Sequence, residues 1–214
     1  MSGFSRTMKY SFHQAWQRTL VSLGVSVVYS LYFMLMDDTL SLKEFIQDFG
    51  TYLLFVSVLF MTIYGLVSAA VNVPEQISFG CVRLHAALSL SLSNIFTMGF
   101  VMLFLVGYYA VVPQLSIDDN LMLFLHGFEG MLAVTGLTAF LSVLVMKFGR
   151  YAYIGCIIVL ALCSGFFTGF MSKMGNDFLA TANLEFIFAV ASAAILIIGN
   201  IALAVYSKYI EVKA

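Results

Sequence analysis

Six apolar stretches, each about the length of a membrane-crossing helix, divide this chain and dictate what it can become. They fall at about 19–36, 50–72, 87–112, 121–146, 151–172 and 185–206. In lipid, every backbone N–H and C=O must find an internal partner, which leaves helices or closed barrels. Barrel strands alternate apolar and polar residues over about ten positions. These stretches stay apolar for about twenty, so helices are expected. Only 10% of the 214 residues are charged while 62% are hydrophobic. A water-soluble domain carries about 25% charge. The net charge of −1 gives no electrostatic reason to expect a nucleic-acid partner.

The basic residues orient the spans. Alternation places Arg6, Lys9, Arg18, Arg83, Lys147, Arg150, Lys208 and Lys213 on one side, and only Lys43 and Lys173 on the other. The poorer side carries Asp37, Asp38, Glu44, Asp48, Asp118, Asp119, Asp177 and Glu185. Short loops rich in Lys and Arg stay in the cytoplasm, so both termini are expected there. The expected fold is an all-α membrane protein of six transmembrane helices. It divides into a lead helix at 1–18, a six-span domain at 19–206 and a cytoplasmic tail at 207–214. The first span lacks the small-residue site of a cleaved signal peptide.

The lead segment repeats Phe4, Met8, Phe12 and Trp16 every four residues, which makes one helical stripe. Arg6, Lys9, His13, Gln14 and Gln17 fall mostly elsewhere on the wheel. The pattern predicts an amphipathic helix in the headgroup layer, or else the ordered start of the first span.

No nucleotide-binding loop, HExxH or paired CxxC is present. No catalytic constellation and no cofactor site is expected on this chain. Any pumping draws its energy from an ion gradient or a partner. Cys81, Cys156 and Cys163 are an odd number in apolar or cytoplasmic settings, so no disulfide framework is expected.

The loop from Pro74 to His85 holds the most specific local signal. Pro74 ends a span and Gly80 supplies a turn. Ile77 and Phe79 are apolar residues in a cytoplasmic loop. They fit either docking into a groove on a soluble partner or folding back onto lipid. Ser78-Phe79-Gly80-Cys81-Val82-Arg83 resembles the S-F-G-x-[TS]-R turn of small bacterial type-2 ABC export permeases, with Val82 at the Thr/Ser position. Tyr209-Ile210-Glu211-Val212-Lys213 resembles the K-x-E-V-K ending of the same group. The resemblance implies a permease dimer in the bacterial plasma membrane, bound to two cytoplasmic ATPase subunits that hold ATP and Mg. It makes Ile77, Ser78, Phe79, Gly80 and Arg83 the coupling element.

Four polar residues inside the spans are candidates for a transport path: Asn94, His126, Glu129 and Asn200. His126 and Glu129 are three apart, on one helical face. They fit a substrate site, a proton relay or a short outer re-entrant segment permitted by Gly127 and Gly130. For Asn94 and Asn200, interhelical hydrogen bonding stands beside a path role. Gly165 and Gly169 form a GxxxG pattern suited to close helix packing. The rival functions are a proton-coupled secondary transporter and a non-transporting scaffold or immunity protein. The exporter's expected cargo is an amphipathic or lipid-like molecule such as a peptide, toxin or drug.

Overall fold

The computed structural model describes residues 3–36, 42–78, 80–112, 121–149, 151–152, 154–156, 158 and 182–209. Among the described residues the regular structure is entirely helical. The elements are α1 (Gly3–Met36), α2 (Leu42–Ala70), α3 (Asn72–Ser78), α4 (Arg83–Val111), α5 (Leu121–Phe148) and α6 (Ala182–Tyr206), with a 3-10 turn at Ser207–Tyr209. Four helical stretches are long and apolar enough to cross a membrane: Phe49–Ser78, Arg83–Val111, Phe124–Phe148 and Phe186–Tyr209. The protein is membrane-embedded on that evidence. Most of the expected fifth span, including Cys163, Gly165 and Gly169, lies outside the described residues.

The boundaries have local causes. Between α2 and α3 the helix breaks at Val71, three residues before Pro74. Proline has no N–H to bond the Ala70 carbonyl, and its ring crowds that oxygen. Beyond the break Pro74 sits in the first turn of α3, where a missing N–H costs nothing. Pro74 therefore bends the chain into a short helix rather than ending it. At the far end of α3 the Gly80 N–H bonds the Ile77 carbonyl at 2.9 Å, and the Cys81 N–H bonds the Gln76 carbonyl at 3.0 Å. Those two bonds, with Gly80 at φ +82°, make a Schellman cap.

α1 runs unbroken across residue 18, so lead and first span form one helix of 34 residues. At 1.5 Å per residue it is about 51 Å long, well beyond a hydrocarbon core of about 30 Å. Its buried line is Thr7, Ser11, Ala15, Arg18, Thr19, Ser22, Ser26 and Ser30. Phe12 and Trp16 lie off that line, about half exposed, and edge against Phe96 and Phe100 of α4. α1 is thus polar and small inward, apolar outward. Water-free packing produces this inversion: lipid is as apolar as leucine, so small residues and hydroxyls hold helices together. Thr19, Ser26 and Ser30 return their hydroxyls to carbonyls one turn back in α1.

α5 is likewise unbroken from Leu121 through Gly127 and Gly130, so the expected re-entrant turn is replaced by continuous helix.

The bundle has two apolar cores. One gathers Leu66, Ala69 and Val73 with Ala86, Ala87 and Leu90, Ala139 and Val145, Cys156 and Leu203. The other gathers Phe49, Leu53, Leu54 and Met61 with Met98, Val101, Leu105 and Tyr109, and Met131. Along α2, α4 and α5 a set of polar residues lies between them: Tyr64, Ser93, Asn94, Thr97, Thr135 and Thr138.

Candidate functional site

Arg18 occupies this polar layer. Its side chain leaves α1 between α2 and α4 and is 4% exposed. Nη1 donates to Ser93 Oγ at 2.9 Å and to Asn94 Oδ1 at 3.2 Å. Nη2 donates to Ser68 Oγ at 2.9 Å and to Gln14 Oε1 at 3.2 Å. The guanidinium also stands 5.4 Å from the centre of the Tyr64 ring, within cation–π range. Asn94 passes the network on, donating from Nδ2 to Thr138 Oγ1 at 3.0 Å. Three helices therefore meet around one cation, and a fourth joins through Asn94. Gly65 makes the room: a Cβ there would stand 3.2 Å from Thr138 Cβ and 3.6 Å from Asn94 Nδ2.

The depth is large. Ser93 and Asn94 lie ten and eleven residues into α4, about 15 Å from its basic end. Thr138 lies nine residues before Lys147, about 14 Å from the same end of α5. Arg18 was expected among the cytoplasmic flanking charges; packing instead draws it inward. The reason is geometric: it continues the small, polar seam of α1 at three- and four-residue spacing.

Every acceptor around Arg18 is neutral, and among the described residues no carboxylate pairs with it. Magnitudes show what this arrangement is for. Interhelical hydrogen bonds in membranes average about 0.6 kcal/mol, so the three to Ser68, Ser93 and Asn94 contribute about 2 kcal/mol. Placing a guanidinium at the centre of a span costs about 2.5–3.5 kcal/mol on insertion scales. The two roughly cancel. Arg18 adds little net stability.

The polar line continues to the basic end. Gln14 Nε2 donates to the Tyr10 hydroxyl oxygen at 2.6 Å. Tyr10, Gln14 and Arg18 thus form a ladder at four-residue spacing along α1. Tyr10 borders a cavity of about 390 Å3 between the start of α1, α3 and the Gly80 turn, lined also by Arg6, Thr7, Glu75, Gln76 and Cys81. Partial burial raises the Tyr10 pKa above 10.0, and the neighbouring Glu75 carboxylate pushes it the same way. The phenol stays protonated at neutral pH.

The expected coupling residues sit beside this cavity. Ile77 is half-buried and packs on the core formed by α2, α4, α5 and α6. Ser78 is exposed and donates its hydroxyl to the Glu75 carbonyl at 2.7 Å. Gly80 is exposed at the cap, and Phe79 lies outside the described residues. Arg83 is exposed and reaches the Lys208 carbonyl at 3.4 Å, joining the loop to the turn after α6.

Of the four expected path residues, only Asn94 enters the polar layer. Glu129 is half-buried and His126 exposed on α5. Glu129 stands nine residues from Thr138, about 14 Å along the helix. Asn200 is half-buried and returns its amide to the Leu196 carbonyl of its own helix at 2.9 Å. The four are not gathered into one site. Arg18, Ser68, Ser93, Tyr64 and Thr138 were missed as site residues; the signal that could have found Arg18 is the regular small and polar spacing at 7, 11, 15, 18, 22, 26 and 30, and nothing comparable marks the others.

No family model matches this chain, and neither a curated protein nor a solved structure is similar to it.

Proposed function

We propose that this chain is the permease subunit of an ATP-driven exporter in a bacterial plasma membrane, with both termini cytoplasmic and six spans. Two copies, or one copy with a similar subunit, enclose the path. Two ATPase subunits on the basic face bind ATP and Mg and supply the energy. The cargo is amphipathic or lipid-like. The observation that supports this reading best is α3: a seven-residue helix between two long apolar helices at the basic end. Its Schellman cap fixes one end, and Val73 and Ile77 seat it on side chains of α2, α4, α5 and α6. A push on α3 therefore reaches most of the bundle at once, which is what a coupling element requires. The polar layer gives that motion something to act on, because a cation held by neutral groups releases them at small net cost.

The test is co-purification from native membranes in lipid. The tagged chain should bring down a nucleotide-hydrolysing subunit whose Mg-ATPase activity persists through purification. Replacing Phe79 and Arg83 together by Ala should remove that subunit while the chain still elutes as a folded species. Undiminished association sinks the coupling role. Uptake into liposomes holding this chain alone, driven by a pH gradient and abolished by Glu129→Gln, would establish the proton-coupled alternative instead.

A further inference from the structure

The cavity at the basic end carries two opposite charges that do not neutralise each other. Arg6 and Glu75 both line it, yet no ion pair joins them, and Arg6 has no other polar partner within the described structure. The same cavity is lined by neutral polar residues: Thr7, Tyr10 and Gln76. A site for a simple anion would not place a carboxylate in its wall, because like charges repel. A site for a simple cation would not include an arginine. The volume, about 390 Å3, lies within the range of small-molecule sites.

The depth of the cavity identifies the source of such a ligand. Its lining residues Glu75, Gln76, Gly80 and Cys81 lie where the apolar stretch Phe49–Ser78 ends and Arg83–Val111 begins. An apolar span ends where hydrocarbon gives way to headgroups. The cavity therefore opens at headgroup level, beside exposed Lys9.

We propose that this cavity seats a zwitterionic phosphoethanolamine headgroup, its phosphate on Arg6 and its ammonium on Glu75. The primary ammonium can donate hydrogen bonds to the carboxylate and the Gln76 carbonyl, which a quaternary choline cannot. Because Tyr10 borders the cavity and is bonded through Gln14 to Arg18, the bound headgroup joins the bilayer surface to the polar layer. The inference depends on membrane embedding alone and holds whether or not an ATPase binds.

The experiment is native mass spectrometry of the full chain in detergent, titrated with phosphatidylethanolamine, phosphatidylglycerol and phosphatidylcholine of matched acyl chains. One ethanolamine lipid should be retained at least about tenfold more strongly than either other headgroup, the ratio that one extra charge-assisted contact gives. Arg6→Gln should weaken all three phospholipids. Glu75→Gln should abolish the preference for ethanolamine over glycerol while leaving glycerol binding intact or tighter. Both residues are exposed, so thermal unfolding without lipid should not move in either variant. Equal retention of ethanolamine and glycerol headgroups by the parent chain overturns the proposal, as does indifference to both substitutions. Displacement by soluble phosphoethanolamine at concentrations near those of the lipid would reassign the seat to a solute and overturn the lipid source.

Discussion

Two helix contacts in this bundle hold by opposite means. At the α1–α2–α4 seam the helices are joined by Arg18 and its hydroxyl and amide acceptors. At the α5–α6 crossing backbone meets backbone: Gly136 faces Gly199, and a Cβ on either would strike backbone of the other helix. The second contact draws on dispersion and close backbone approach, which any added atom destroys. The first is a balance between the cost of a buried charge and the bonds that offset it, so its partners can be exchanged. A crossing of the glycine kind suits parts that stay together. The polar seam suits parts that separate and meet again.

The largest expected effect is at the glycine crossing. Gly136→Leu or Gly199→Leu should cost about 3 kcal/mol or more, because backbone rather than a flexible side chain must yield. Thermal unfolding in detergent should show it. Gly24→Ala is the control, since nothing lies within 4 Å of its Cβ position. It should stabilise by about 0.5–1 kcal/mol from helix propensity. Equal behaviour of the two sites would erase the contrast.

Next is Arg18→Ala, which strips the acceptors of Asn94 and Ser68 and should cost about 2–4 kcal/mol. Arg18→Met fills the volume without the charge and should recover most of that loss, since buried ions are commonly replaced by apolar groups at little cost. If the stable Met variant keeps full transport, Arg18 is only a fastener and the seam does not work as proposed.

Gly65→Ala comes third. Its Cβ would meet Thr138 at 3.2 Å, so the helix-propensity gain seen at Gly24 should be cancelled, leaving a change within about 0.5 kcal/mol. A full gain would mean that Thr138 and Asn94 shift freely.

The smallest effect is alkaline. The Tyr10 pKa is raised in the fold, so its contribution is complete below about 10 and declines as pH climbs through the folded value. Tyr10→Phe should flatten the unfolding temperature above pH 10 and leave it unchanged near neutrality.

Much of this was legible from composition and spacing. The lengths of α2, α4, α5 and α6 follow from apolar runs, because backbone groups in lipid have no other partners than their own helix. The break at Pro74 and the cap at Gly80 follow from one missing N–H and one missing Cβ. Arg18 was misplaced because a basic residue at the edge of an apolar run reads as a flank. Only the neighbours on α2 and α4 reveal a set of acceptors waiting for it. Gly136 and Gly199 stand in separate helices with no shared motif, so nothing in the linear chain pairs them.

The sequence by itself therefore determined the solvent, the helices and the sharp turn at the basic end, since each depends on local chemistry and on lipid. The tertiary structure alone decided that the polar residues of α1 face inward, that α2 and α4 converge on the Arg18 guanidinium, and that α5 joins them through Asn94. It also decided that Asn94 joins that layer while His126, Glu129 and Asn200 do not. Those facts depend on which helix lies beside which, and with no hydrophobic force between helices in lipid, that choice is made by the fit of small and polar side chains.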